Sequence, residues 1–208
     1  MHIVCTDLEG IFTPEIWINV AEKTGIDELR LTTRDISDYN VLMKRRLAIL
    51  REHDIKLADI QAVIAAMDPL PGAREFLDWL RSQTPVITVS DTFEQFAGPL
   101  MAKLGWPTLF CNTLSLTPDG YVADYHLRQQ DGKRHVVQAL HNLRYTITAI
   151  GDSYNDITML QTADSGILFN PPDNVKAAYP DLPVTTSYAE IKAVLRPILE
   201  AASGHLNN

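Results

Sequence analysis

The chain has 208 residues, 46% of them hydrophobic and 21% charged, which suits one soluble core or a core with a smaller insertion. Its formal net charge of −8 repels phosphate backbones and argues against nucleic acid or an anionic membrane as partner. Two cysteines cannot build a disulfide framework, and no apolar stretch approaches the roughly 18–20 residues that cross a bilayer.

The N-terminal run His2-Ile-Val-Cys-Thr6 is short and β-prone, and it stops at Asp7-Leu-Glu9-Gly10. It is too short for a signal peptide, so a cytoplasmic protein is expected, with a homo-oligomer compatible. Cys5 lies inside this run and reads as core packing. From Pro14 to Pro69 helical periodicity takes over, in Glu15 to Lys23, Asp38 to His53 and Leu57 to Ala66. Thr13-Pro14 and Asp68-Pro69-Leu70-Pro71-Gly72 bracket the stretch, which reads as a helical lid inserted directly after the first strand. A second apolar run, Pro85 to Val89, ends in Ser90-Asp91. Leu114 to Leu127, with Pro118-Asp119-Gly120 in its middle, reads as a β-hairpin. A third run, Thr146 to Ile150, ends in Gly151-Asp152-Ser153, and Ser165 to Phe169 and Pro183 to Thr186 are weaker strands. Short apolar runs followed by helix-like patterns indicate an α/β protein with a doubly wound, mainly parallel sheet. The expected division is a core of residues 1–13 and 70–208 around a helical cap of residues 14–69.

Ligands of open parallel sheets bind at the carboxyl ends of the strands. One strand ending in Asp means little, since Asp is a common turn residue. Here three ends carry Asp7 and Glu9, Ser90, and Asp152. Gathered carboxylates repel one another, and a hard cation such as Mg²⁺ relieves them while taking substrate phosphate as a further ligand. Lys133 follows Asp131-Gly132 at the start of the helical pattern Arg134 to Leu143, where an ammonium and free N–H groups face the same anion. The Ser90 hydroxyl and the Asp91 backbone N–H are further donors. Walker and dinucleotide motifs fail on glycine spacing, and the six histidines show no zinc spacing.

In the lid, Leu42, Met43, Leu47, Ile49 and Leu50 form one helical arc with Arg46 in its middle. Taken from that helix alone, Arg46 reads as a side chain snorkelling out of a helix contact. Over a phosphate site it reads instead as a guanidinium for a carboxylate or phosphate. Glu15 is either a helix-start carboxylate, favoured by the helix dipole, or a partner for a substrate ammonium.

These residues resemble the haloacid dehalogenase superfamily. Asp7-Leu-Glu9-Gly10, Ser90, Lys133 and Gly151-Asp152-Ser-Tyr-Asn155-Asp156 are similar to its four motifs in chain order, and the lid is similar to its C1-type cap. Glu15, Met43 to Leu50 and the last motif resemble phosphoserine phosphatases. Asp7-Leu-Glu-Gly, Pro14-Glu-Ile-Trp-Ile18 and Ser90-Asp-Thr-Phe93 are most similar to bacterial enzymes with both phosphoserine phosphatase and phosphoserine:homoserine phosphotransferase activity. The resemblance implies Asp7 as nucleophile and Mg²⁺ ligand, and Glu9 as general acid/base whose backbone carbonyl also touches the metal. It implies Asp152 as a metal ligand, with Asp156 behind it or acting through water. Ser90, Asp91 and Lys133 would hold the phosphoryl group, and Glu15, Arg46 and Asn155 the amino-acid part of phosphoserine. Glu9 departs from the usual Asp of the superfamily. Two alternatives remain at this level: a phosphatase for another small monoester, and a receiver-like phosphoacceptor domain, which normally lacks such an insertion.

Overall fold

The computed structural model describes residues 1–32, 35–36 and 38–204. Seven strands form one sheet: β1 (His2–Thr6), β2 (Val86–Phe93), β3 (Thr108–Leu116), β4 (Val122–His126), β5 (Thr146–Gly151), β6 (Ser165–Phe169) and β7 (Val184–Thr185). Their order is β4-β3-β2-β1-β5-β6-β7. All neighbours are parallel except β3 and β4. The chain winds outward from β1 in both directions, so the switch point of the sheet lies at the carboxyl end of β1.

Every residue of β1 is buried, as a strand covered on both faces requires. Its alternate side chains go to opposite layers. Val4 joins one cluster with Phe76, Leu77 and Leu80 of helix α4 (Ala73–Gln83), Phe96 and Leu100 of α5 (Glu94–Lys103) and Ile191 and Leu195 of the C-terminal helix. Ile3 and Cys5 join a second with Val137 and Leu140 of α6 (Gly132–Asn142) and Ile157, Met159 and Leu160 of α7 (Ile157–Thr162). After β6 follow α8 (Asp173–Ala178) and α9 (Tyr188–Gly204). Cys5 is a buried free thiol, pushed up to about 12 by burial. Among the described residues no helix is long and apolar enough to cross a membrane.

Between β1 and α4 the chain forms α1 (Ile16–Thr24), a 3-10 turn (Asp27–Arg30), α2 (Tyr39–Glu52) and α3 (Leu57–Ala66). The periodicity located these helices to within a residue or two. Asp38 caps α2 by accepting from the Asn40 and Val41 N–H groups. The insertion has no core of its own: Trp17, Val20, Met43, Leu50, Ile60 and Ile64 belong to the same apolar cluster as α4 and α5.

Three elements differ from the sequence expectation. The second strand does not stop at Val89 but runs to Phe93, with a register shift against β3 between Val89 and Phe93. The hairpin itself pairs from Thr113 to His126, close to expectation, but its first strand begins earlier, at Thr108, because the first half of β3 pairs with β2 and only its second half with β4. α6 begins at Gly132, which places Lys133 in its first turn.

Candidate active site

Asp7 extends β1, its N–H donating to the Ile150 carbonyl at 2.9 Å. Its Oδ1 accepts the Leu8 N–H at 2.7 Å, and its Oδ2 lies 2.8 Å from Lys133 Nζ. The chain then doubles back, with the Gly10 N–H donating to the Thr13 carbonyl at 2.8 Å. Gly10 takes φ +77°, and a Cβ there would fall 2.5 Å from Asp152 Cγ. Only glycine therefore allows this turn to lie against the carboxylate at the end of β5. Glu9 projects toward the cap, where Oε2 accepts the Ile16 N–H at 2.8 Å. That bond satisfies the first N–H of α1, which has no partner within the helix. Glu15, at the N-cap position, makes no side-chain cap bond of its own and lines the cavity instead.

At the end of β5, Asp156 is fully buried and binds inward. Its Oδ2 accepts the Asp152 and Ser153 N–H groups at 2.9 and 3.1 Å, and its Oδ1 lies 2.7 Å from Lys133 Nζ. Asp7, Asp152 and Asp156 each offer an oxygen within 4.8 Å of the others, a donor set of hard oxygens able to hold a metal ion. The Glu9 carboxylate lies outside this trio. Burial, with repulsion from Asp156 and Asp152, holds Asp7 well above the usual carboxylate range against the pull of Lys133. Burial, then Asp156 and Glu15, pushes Asp152 up to about 7. Asp7 and Asp152, both held above the usual range beside a third carboxylate, fit a site that receives a cation. Lys133 remains firmly charged: burial opposes the ammonium, but Asp156, Asp7 and Asp91 outweigh it.

The irregular stretch of β2 supplies Ser90 and Asp91. The Thr92 N–H donates to Ser90 Oγ at 3.2 Å. That leaves the serine hydroxyl proton available to an anion. Asp91 Oδ2 accepts Asn155 Nδ2 at 3.0 Å and stands 3.7 Å from Lys133 Nζ. Asn155 thus reaches the cavity tied to Asp91, and its Oδ1 accepts the Ser153 hydroxyl at 2.5 Å.

The cap closes the other side. Arg46 is buried, its guanidinium 4.5 Å over the Trp17 ring, with Nη2 donating to the Leu31 carbonyl at 2.8 Å and Nη1 3.7 Å from Met43 Sδ. Its Nε has no hydrogen-bond partner among the described residues. Burial pulls this guanidinium down to about 10. The snorkelling alternative does not describe it, since its head stays inside. Burial, then repulsion from Glu15, pushes Glu9 up to about 8.

One cavity of about 660 Å³ is lined by Asp7, Glu9, Glu15, Arg46, Ser90, Asp91, Lys133, Asp152 and Asn155. Of the residues singled out from sequence, Asp156 alone stands behind its wall. Trp17 and Tyr39 also line it and were not anticipated. Trp17 lies two residues after Glu15 on α1, so its face follows only once the cap has folded; Tyr39 sits next to the α2 cap residue, where helical periodicity says little.

The haloacid dehalogenase-like hydrolase family matches residues 6–164 of the chain. A protein of Pseudomonas aeruginosa called phosphoserine phosphatase ThrH is 53% identical over 207 residues, covering 100% of both chains. A phosphoserine phosphatase of Pseudomonas syringae pv. tomato is 56% identical over 192 residues, 92% of this chain and 81% of the other. The crystal structure of phosphoserine phosphatase from T. onnurineus has the same fold, with a TM-score of 0.74, 23% identity and 94% of each chain covered.

Proposed function

The chain belongs to the haloacid dehalogenase-like hydrolases, and within that family we propose that it is a phosphoserine phosphatase working through a phosphorylated Asp7. The observation that carries this reading is the pairing of two opposite sites in one cavity: an acid trio with Lys133, and a buried Arg46 held, among the described residues, by the Leu31 carbonyl, Met43 Sδ and the Trp17 ring, with no carboxylate hydrogen-bonded to it. The first suits a phosphate ester dianion and the second a carboxylate. Two relatives of 53% and 56% identity called phosphoserine phosphatases point the same way. The division into a core of residues 1–13 and 70–208 and a cap of 14–69 belongs to this reading.

Asp7, Asp152 and Asp156, with the Glu9 backbone carbonyl, would hold Mg²⁺, which when bound neutralises phosphoryl oxygens and the crowded carboxylates. The chain supplies the rest. Ser90, the Asp91 N–H and Lys133 bind the other phosphoryl oxygens, where a metaphosphate-like transition state needs charge neutralised. Lys133 and the Leu8 N–H hold the Asp7 carboxylate in line. A carboxylate oxygen of Asp7 bonds to phosphorus as the bond from phosphorus to the seryl oxygen breaks. Glu9, raised to about 8, still carries a proton at neutral pH and gives it to that oxygen. Water then attacks phosphorus, loses its proton to Glu9, and Asp7 departs as carboxylate. Arg46 takes the substrate carboxylate, Glu15 its ammonium, and Asn155 orients the group with Asp91. Serine leaves a pocket that an L-homoserine hydroxyl can enter before water, giving phosphotransfer as a second outcome.

The test is phosphate release with Mg²⁺ from phosphoserine, phosphothreonine, phosphohomoserine and sugar phosphates. Phosphoserine is expected to lead. A sugar phosphate in first place would replace this reading with another monoesterase of the family.

A further inference from the structure

A cap hydroxyl reaches the phosphoryl half of the cavity. Tyr39, the first residue of α2, donates from its OH to the Asp91 carbonyl at 3.2 Å. Asn112 Nδ2, on β3, reaches the same carbonyl from the core at 3.3 Å. This carbonyl belongs to the peptide whose N–H is that of Thr92, and Thr92 N–H is the donor to Ser90 Oγ. A peptide unit is planar, so fixing its carbonyl also fixes the N–H at its other end. Here that unit lies in the irregular part of β2, between Val89 and Phe93, where the ladder to β3 is interrupted. Two side-chain donors therefore replace ladder bonds at the place where Ser90 and Asp91 face the cavity.

We propose that the Tyr39 hydroxyl is a positioning group for the phosphoryl site, setting the Ser90–Thr92 backbone when the cap is seated. The inference rests on the phosphatase reading above. It gives the cap a task separate from recognising the amino acid: α2 carries both Arg46, aimed at the substrate's carboxylate, and Tyr39, which acts on the other end through Asp91. Docking of the cap and order in the anion loop thereby become one event. A second contact of the same kind supplies the comparison. Tyr125 OH, on β4, donates to Asn40 Oδ1 at 2.5 Å, joining core and cap one residue further along α2 without reaching Asp91. Tyr39 and Tyr125 rings meet edge to face, 6.0 Å between centroids, so Phe at either position keeps the packing and removes only the hydroxyl.

The experiment compares wild type, Tyr39→Phe and Tyr125→Phe as full-length proteins with Mg²⁺. It reads kcat and KM on phosphoserine and p-nitrophenyl phosphate, Tm, and orthophosphate affinity by calorimetry. Tyr39→Phe is expected to lower kcat about three- to ten-fold on both substrates and to weaken orthophosphate binding similarly, the size of one net hydrogen bond. Tyr125→Phe is expected to match wild type in both. Wild-type values for Tyr39→Phe, a loss confined to phosphoserine, or an equal loss in Tyr125→Phe would each overturn the inference. Orthophosphate binding separates the two layers. If wild type binds orthophosphate but turns over no monoester, the phosphatase reading falls, while weaker binding by Tyr39→Phe alone still upholds the positioning role. If wild type binds no orthophosphate, both fall.

Discussion

Lys133 Nζ stands 2.8 Å from Asp7 Oδ2, and both side chains are almost wholly shut off from solvent. The ammonium is shared with Asp156 at 2.7 Å, so Asp7 is one of two short partners and not the sole counter-charge. A buried pair gains little net stability, because desolvation offsets the attraction. The arrangement stores charge where a phosphoryl group would arrive.

Asp7→Asn is therefore expected to abolish turnover without unfolding the protein. Asn removes the nucleophilic charge and one member of the repelling acid trio but keeps the volume, and Asp156 still pairs with Lys133. Circular dichroism should be unchanged and Tm equal to or above wild type. Substantial phosphate release by this variant would rule out Asp7 as nucleophile.

Removing divalent metal with EDTA should eliminate activity, and Mg²⁺ should restore it while raising Tm. Ligand that binds only the folded state stabilises it, and here it also relieves repulsion among Asp7, Asp152 and Asp156. Calcium is expected to inhibit, since its larger and looser coordination suits in-line attack poorly. Full activity in EDTA would contradict the metal assignment.

Gly10→Ala is expected to weaken Mg²⁺ activation roughly 10- to 100-fold, as loss of a supporting contact around a metal site does. The new methyl would occupy a strained backbone at φ +77° and press on Asp152 Cγ. A titration of activity against Mg²⁺ reads the shift; an unchanged midpoint would show that the turn can relax away from Asp152.

Arg46→Ala should damage use of phosphoserine far more than use of p-nitrophenyl phosphate, which has no carboxylate at that position. The loss of a charge-assisted pair is worth about 1.5–3 kcal/mol in kcat/KM. Removing the guanidinium also empties the face of Trp17, so Tm should be measured alongside. Equal losses on both substrates would assign Arg46 to packing.

L-Homoserine is expected to lower the free phosphate released per phosphoserine consumed, with O-phosphohomoserine accounting for the difference by mass spectrometry. An amino acid held by Glu15 and Arg46 competes with water for phosphorylated Asp7 through positioning. Stoichiometric phosphate release at high homoserine would leave a phosphatase without the transferase activity.

The chain order of Asp7, Ser90, Lys133 and Asp152, each at the end of an apolar run or the start of a helix, was legible because such boundaries are local. The period of the apolar residues likewise located α1, α2 and α3, since each buries one stripe. Local pattern carries no information about which partner a strand will find. The extension of β2 to Phe93 depends on β3, and the early start of β3 on having β2 and β4 as successive neighbours. The same limit applies within the site. Arg46 sits mid-arc on its helix in either reading, and only the folded cap sets it over Trp17 with Nε unpartnered among the described residues. Glu15 stands at a helix start, yet Glu9, six residues earlier, reaches the Ile16 N–H and leaves Glu15 to the cavity. Asp156 turns inward to Lys133, and Tyr39 reaches Asp91 across 52 positions of chain. Residue types and periodicity act over a few positions along the backbone, whereas charge pairing, burial and hydrogen bonding act over a few ångströms in space, and folding alone brings those distances about.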